Sequence, residues 1–241
     1  MTLKKYIPDA ITCCNLLCGS AGVVFALDGR VDIAFFLMLA AACFDFLDGF
    51  AARMLDAYSA LGKELDSLSD VVSFGVLPSV MLVNLMRVCS FSNGLLCLVP
   101  LLIAVFSGLR LAKFNIDERQ HDSFIGLPTP ASALLCGSLA YYIAVRPASL
   151  PGIWAAGPVF IPLLAVVLCA LLVSGIPMFS LKFGKNVHAD GALRVKRLAM
   201  GLVAAVVVLL VVFFRQDWSL AVLLIMSLYI IKNCIYAIFK I

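Results

Sequence analysis

The chain has 241 residues, of which 63% are hydrophobic and only 13% charged, and its mean hydropathy is +1.09. This composition excludes a soluble globular domain and predicts an all-α polytopic membrane protein, a single integral-membrane domain over residues 1–241. The net charge of +4 belongs to the loops, and no basic helix with interleaved aromatics stands outside the apolar runs, so nucleic acid is excluded as a partner.

Eight apolar runs are long enough to span a hydrocarbon core, which takes about 20 helical residues. They lie near 9–27, 31–54, 64–86, 93–114, 127–146, 157–179, 196–214 and 217–238. Lys4 and Lys5 before the first run resemble a signal-peptide start, but no cleavage site follows, so this run is expected to remain as the first anchor. Eight spans put both termini on one side, and that side receives fourteen of the eighteen basic residues. The other side receives Arg30, Arg87, Arg146 and Arg215, so the positive-inside rule predicts cytoplasmic termini in the cell membrane. The nine cysteines form no C-x-x-C pair, and the only histidines are His121 and His188. Free thiols are expected, without a disulfide framework or zinc site.

The first helix opens at Pro8, which lacks only an N–H that would go unpaired there. Thr12, Asn15 and Gly19 follow at helical spacing as a small, polar stripe, the usual mark of helix packing. Helices 2 and 3 carry the strongest signal: four aspartates, Asp45, Asp48, Asp66 and Asp70, within 26 residues. An aspartate at the middle of an inserted helix costs roughly 2.5–3.5 kcal/mol, so four require compensation. At about 100° per residue, Asp45, Asp48, Gly49 and Ala52 share one helix face with Arg53 at its margin. Gly62, Asp66, Asp70 and Ser73 make a second stripe. Two helices joined by a short polar turn, each presenting paired carboxylates beside small residues, suit one or two divalent cations. Hard oxygen ligands favour Mg2+, Mn2+ or Ca2+ over zinc. The charge asymmetry places these stripes at the cytoplasmic ends of their helices.

Helix 4 closes with Arg110, Lys113 and Asn115. Lys113 suits a helix C-terminus and the interface. Arg110 sits one turn deeper, where an unpaired guanidinium is costly, and is expected to face the aspartates, a phosphate or a carboxylate. Gly126-Leu127-Pro128-Thr129-Pro130 breaks the chain and restarts a helix. Lys182 and Lys185 fit positive-inside bias and attraction to anionic lipid. Helices 7 and 8 contain no acid and are read as packing or dimerisation elements.

The spacing D-x2-D-G-x2-A-R-x8-G-x3-D-x3-D, met here at Asp45, Asp48, Gly49, Ala52, Arg53, Gly62, Asp66 and Asp70, resembles the signature of the CDP-alcohol phosphotransferases without gap or substitution. Three further stretches resemble the phosphatidylserine synthase branch of that family. They are Pro8 through Gly19, with Asp9 where asparagine is usual; Arg110 through Asn115, with Lys113 where arginine is usual; and Gly126 through Ala131. The resemblance covers roughly residues 7–185. It implies a six-helix core with its site between helices 1 and 4, two accessory helices over 196–238, and a homodimer. The implied reaction moves a phosphatidyl group from CDP-diacylglycerol to L-serine and releases CMP. It further implies that Asp45, Asp48, Asp66 and Asp70 hold two ions, Mg2+ or Mn2+, and that Asp70 is also the general base. Thr12, Asn15, Gly49, Ala52, Arg53 and Gly62 would bind CDP-diacylglycerol, and Arg110 and Asn115 would contact serine or the diphosphate. The alternatives are a relative with another acceptor, of the glycerol phosphate or inositol type, and an ion-coupled transporter. A transporter is disfavoured because the acids are confined to one hairpin and have no second copy.

Overall fold

A computed structural model of the protein describes residues 6–89, 94–116, 124–178 and 191–239. Lys4, Lys5, Arg119, Lys182, Lys185 and Lys240, which enter the charge count, lie outside these residues, as do both histidines and residues 179–185 of the expected core. The described chain is helical apart from one antiparallel pair of two-residue strands, β1 (Phe124–Ile125) and β2 (Pro177–Met178).

The first two helices, α1 (Tyr6–Leu27) and α2 (Val31–Leu55), form a hairpin. Its tight turn works because Gly29 adopts φ +80°, which lets Gly29 N–H reach Ala26 O and Arg30 N–H reach Phe25 O, tying up two terminal carbonyls. α2 ends with Asp56 in the left-handed region at φ 49°, and Ser59 then caps the next helix, accepting a hydrogen bond from Gly62 N–H at 2.8 Å.

Next comes a rod in three parts: α3 (Ala60–Asp70), a π-helical turn (Val71–Val76) and α4 (Leu77–Cys89). The π turn has an identifiable cause. A proline in a regular helix clashes with the carbonyl four residues back, and Pro78 follows directly. In this rod the Leu77 N–H instead donates to Val72 O, five residues back, which widens the helix ahead of the proline. The rod is the most buried of the long apolar helices, and its π turn packs against α1 and against two later helices, α5 (Leu102–Ile116) and α6 (Thr129–Val145). Gly19 of α1 makes this approach possible: a Cβ there would strike Ser73.

A 3-10 stretch (Leu95–Leu101) containing Pro100 leads into α5, so the fourth expected helix begins as a tighter coil. α6 starts where the Gly-Leu-Pro-Thr-Pro break is expected. Gly126 is at φ +80°, and a Cβ on it would come within 2.6 Å of Leu172 O. A short helix, α7 (Leu150–Ala155), then α8 (Phe160–Val173), α9 (Gly191–Phe213) and α10 (Trp218–Phe239) complete the chain.

Five described helices have the length and hydropathy to cross a membrane: Tyr6–Leu27, Val31–Leu55, Ala60–Val88, Leu95–Ile116 and Trp218–Tyr236. Three shorter apolar stretches, Thr129–Val145, Phe160–Val173 and Gly201–Phe213, fall below that length. At 1.5 Å per residue, the 14 residues of α8 span about 21 Å, against a core of about 30 Å. α10 is more than an addition at the edge. It packs along α6, and Leu223, Tyr229 and Ile230 join the main core. Its Trp218 stacks on Phe35 with ring centroids 5.6 Å apart. α9 rests on α10 through a separate small cluster of Val207, Val211 and Ala221.

Candidate active site

The acidic stripes of α2 and α3 face each other, with α1 laid across them. Three side-chain bonds set that geometry. The Thr12 hydroxyl donates to Asp48 Oδ2 at 2.6 Å, with Pro8 O as a second acceptor at 3.0 Å. Ser69 donates to Thr12 O at 3.3 Å, and Ser73 to Asn15 O at 3.2 Å. Ser69 and Ser73 lie four apart, so one face of the rod is fixed against α1 over a full turn. That leaves Asp66 and Asp70 on the neighbouring face, toward α2.

Carboxylate oxygens of Asp45, Asp48 and Asp66 converge within 4.8 Å of one another. Asp70 sits beside them at the mouth of the π turn. It is only 8% exposed, in electrostatic contact with the other three acids, and its Oδ1 has no hydrogen-bond partner. Like charges at this spacing repel by about 3 kcal/mol per pair at an effective dielectric of 20. An oxygen-only donor set, compact and partly buried, matches a hard divalent cation, and the orphaned Asp70 oxygen gives such a cation one more donor. The residues present therefore fit divalent metal.

The glycines beside the acids differ in kind. A Cβ on Gly49 would meet nothing within 4 Å, so that position opens onto space next to Asp48. A Cβ on Gly62 would meet Asp9 Oδ1 at 2.7 Å and Ser59 Oγ at 2.9 Å, so this glycine admits the Asp9 carboxylate over the start of α3. Ala52 is half-buried in the last turn of α2, and Arg53 projects into the open. Asn15 is fully buried, and neither polar atom of its side chain has a hydrogen-bond partner.

The other candidates lie on α5. Arg110 is 6% exposed, in electrostatic contact with Asp70, and its guanidinium donates to Thr129 Oγ1 at 3.5 Å and lies 6.0 Å from the Phe114 ring. Asp70 is the one of the four aspartates with which it interacts electrostatically. Asn115 instead bridges helices: its side-chain amide donates to Ser67 Oγ at 2.9 Å, and its backbone carbonyl accepts from Lys63 Nζ at 3.2 Å. Ser69 and Thr129 are site residues that the sequence does not single out. Ser69 is recoverable from its spacing to Ser73. No local pattern points to Thr129. Cys13, Cys14, Cys18, Cys43, Cys97, Cys136, Cys169 and Cys234 are free thiols.

Fold and site together define an integral membrane protein built around a buried carboxylate centre. The chain belongs to the family described as CDP-alcohol phosphatidyltransferase, which matches residues 5–171. It is similar to the CDP-diacylglycerol–serine O-phosphatidyltransferase of Mycobacterium tuberculosis (strain ATCC 25618 / H37Rv), with 38% identity over 192 residues, 77% of this chain and 63% of the relative. The similarly named protein of Methanocaldococcus jannaschii is 35% identical over 189 residues, 73% of this chain and 87% of the relative. An archaetidylserine synthase of Methanothermobacter thermautotrophicus is 36% identical over 135 residues, 55% of this chain and 56% of the relative. The chain thus spans less than two thirds of the length of the mycobacterial relatives it matches.

Proposed function

We propose that the protein transfers the phosphatidyl group of CDP-diacylglycerol to the hydroxyl of L-serine, as a CDP-diacylglycerol–serine O-phosphatidyltransferase. The observation that carries this reading is the convergence of Asp45, Asp48 and Asp66 beside a buried Asp70. The names of its relatives, two of which use different lipid terms but share serine, support the acceptor. Two Mg2+ or Mn2+ ions held by Asp45, Asp48, Asp66 and Asp70 would neutralise the diphosphate and stabilise the CMP leaving group. Thr12 orients Asp48 by the hydrogen bond already described. Gly49 keeps the backbone open to the nucleotide, and Asn15, Ala52, Arg53 and Gly62 add contacts to CDP-diacylglycerol. Asp70 takes the proton from the serine hydroxyl as its oxygen bonds to the lipid-bearing phosphorus and the bond from that phosphorus to CMP breaks. Such base assistance is worth about 10²–10⁴-fold. Arg110 holds the serine carboxylate, a group that glycerol and inositol lack, and Asn115 supports it or the diphosphate.

In this reading the chain is a homodimer in the cytoplasmic membrane with eight spans, a core over 7–185 and accessory helices over 196–238. Both termini and the site face the cytoplasm, following the distribution of basic residues. Purified protein given CDP-diacylglycerol and Mg2+ or Mn2+ should release CMP with L-serine and not with glycerol phosphate or inositol. Release with another alcohol alone moves the acceptor. No release with any alcohol overturns the reaction.

A further inference from the structure

The end of the bundle remote from the acids carries a feature that the proposed reaction does not use. Trp218, at the start of α10, stacks on Phe35. Phe35 and Asp48 stand about 20 Å apart along α2 at 1.5 Å per residue. At this remote end α6 stops at its C-cap, Arg146, and the chain turns into α7. Gly152 lets the turn close tightly, since a Cβ there would strike Pro147 O. The Tyr142 hydroxyl donates to Gln216 Oε1 at 3.4 Å, which ties the end of α6 to the turn before α10.

These elements line a cavity of about 580 Å³. Arg146 is the one charged residue in its lining, with no carboxylate there to offset the guanidinium. Asp217 follows Gln216 in the chain but lies outside the lining, and its Oδ1 accepts from the Ser219 N–H at 2.9 Å and hydroxyl at 2.6 Å. Val145, Leu150 and Leu220 give the cavity apolar walls. Leu150, Ile153 and Trp154 are exposed on the short helix α7. Exposed apolar side chains with a tryptophan belong at a membrane interface, where the indole ring sits among the headgroups. The cavity thus combines one cation with apolar walls at headgroup level.

That combination fits one class of ligand. A guanidinium pairs with a phosphate through two parallel hydrogen bonds. Apolar walls accept the upper part of acyl chains, which a free phosphate lacks. A zwitterionic headgroup would bring an ammonium group into a lining without an acid. A phosphatidylglycerol-type headgroup brings only hydroxyls, which need no carboxylate. We propose that this cavity is a headgroup site for an anionic phospholipid in the leaflet opposite the carboxylate centre, with Arg146 holding the phosphate.

The full chain, purified in detergent and stripped of lipid, is titrated with dioleoyl phosphatidylglycerol, dioleoyl phosphatidylcholine or inorganic phosphate, and binding is read by native mass spectrometry. Wild type should bind phosphatidylglycerol about tenfold more tightly than phosphatidylcholine. Arg146→Gln should weaken phosphatidylglycerol about tenfold, the worth of one hydrogen bond to a charged group, and bring the two lipids level. Arg215→Gln removes a charge at the same end but outside the lining, and should stay within about twofold of wild type. If Arg146→Gln binds phosphatidylglycerol as wild type does, or both variants lose it equally, the site is overturned. Equal binding of the two lipids to wild type overturns the anionic headgroup, and that measurement needs no variant. Inorganic phosphate binding as tightly as phosphatidylglycerol overturns the lipid as ligand.

Discussion

The two walls of the site are built in opposite ways. On the acidic wall, α1, α2 and α3 are consecutive in the chain, and three side-chain bonds from Thr12, Ser69 and Ser73 lock them at single-turn intervals. On the cationic wall, Arg110 and Thr129 come from two helices, α5 and α6, with one long hydrogen bond and a ring contact around the guanidinium. Rigid, local construction suits the group that must hold four like charges in place. In the proposed reaction the cationic wall would face an acceptor that must enter and leave, and its parts are placed by packing across the bundle.

The sharpest way to break this comparison is at the acids. Asp45→Asn, Asp48→Asn and Asp66→Asn should each reduce CMP release by about 10³-fold or more, since each removes a charge from a preorganised centre. Excess chelator should abolish activity in the wild type, and full turnover in chelator ends the metal assignment. Asp70→Asn comes next: a loss of about 10²–10⁴-fold in turnover with CDP-diacylglycerol binding retained, measured by equilibrium binding of the donor. Near wild-type turnover moves the base elsewhere.

Thr12→Val tests whether the lock itself matters. Removing the hydroxyl leaves Asp48 Oδ2 without that donor, and loss of such a supporting bond typically weakens metal binding about 10–100-fold. The Mn2+ concentration for half-maximal activity should rise accordingly, while kcat at saturating metal changes less. Gly49→Ala should separate stability from function. A Cβ there meets no protein atom within 4 Å, and alanine in place of a helical glycine adds about 1 kcal/mol of stability. The thermal midpoint should rise while the KM for CDP-diacylglycerol rises too. An unchanged KM means that the space beside Gly49 is not used by the donor. The smallest effect is expected at Asn115→Ala, about 1 kcal/mol of stability from the lost bond to Ser67, read by thermal unfolding. If the serine KM also rises, Asn115 touches substrate as well as bridging helices.

What the sequence revealed follows the same division. Asp45, Asp48, Asp66 and Asp70 are legible because helical spacing within two adjacent helices converts directly into shared faces, and the structure brings three of them within 4.8 Å. Arg110 is legible from cost alone, since a buried guanidinium must find partners. Thr129 is not legible, because nothing in its neighbourhood fixes which distant helix it meets. The same reason explains α10, which reads as a plain apolar run and yet carries Leu223, Tyr229 and Ile230 into the main core. Helix existence was clear from hydropathy. The lengths of α6 and α8 were not, since prolines and glycines near their ends shorten the regular coil without making the segment less apolar.

The π turn after Asp70 also acts as a phase shifter in the central rod. One residue more than an α turn advances everything beyond it by about 100°. The face that presents Asp66 and Asp70 is therefore decoupled from the face that Phe74, Leu77 and Met81 bury in the core. Deleting a single residue between 71 and 76 would remove that phase step and force a choice between the two. Either the acids swing away from α2 or the large side chains below turn out toward lipid. A single helix thus serves two unrelated angular demands, and the six residues between them let each be met without compromise to the other.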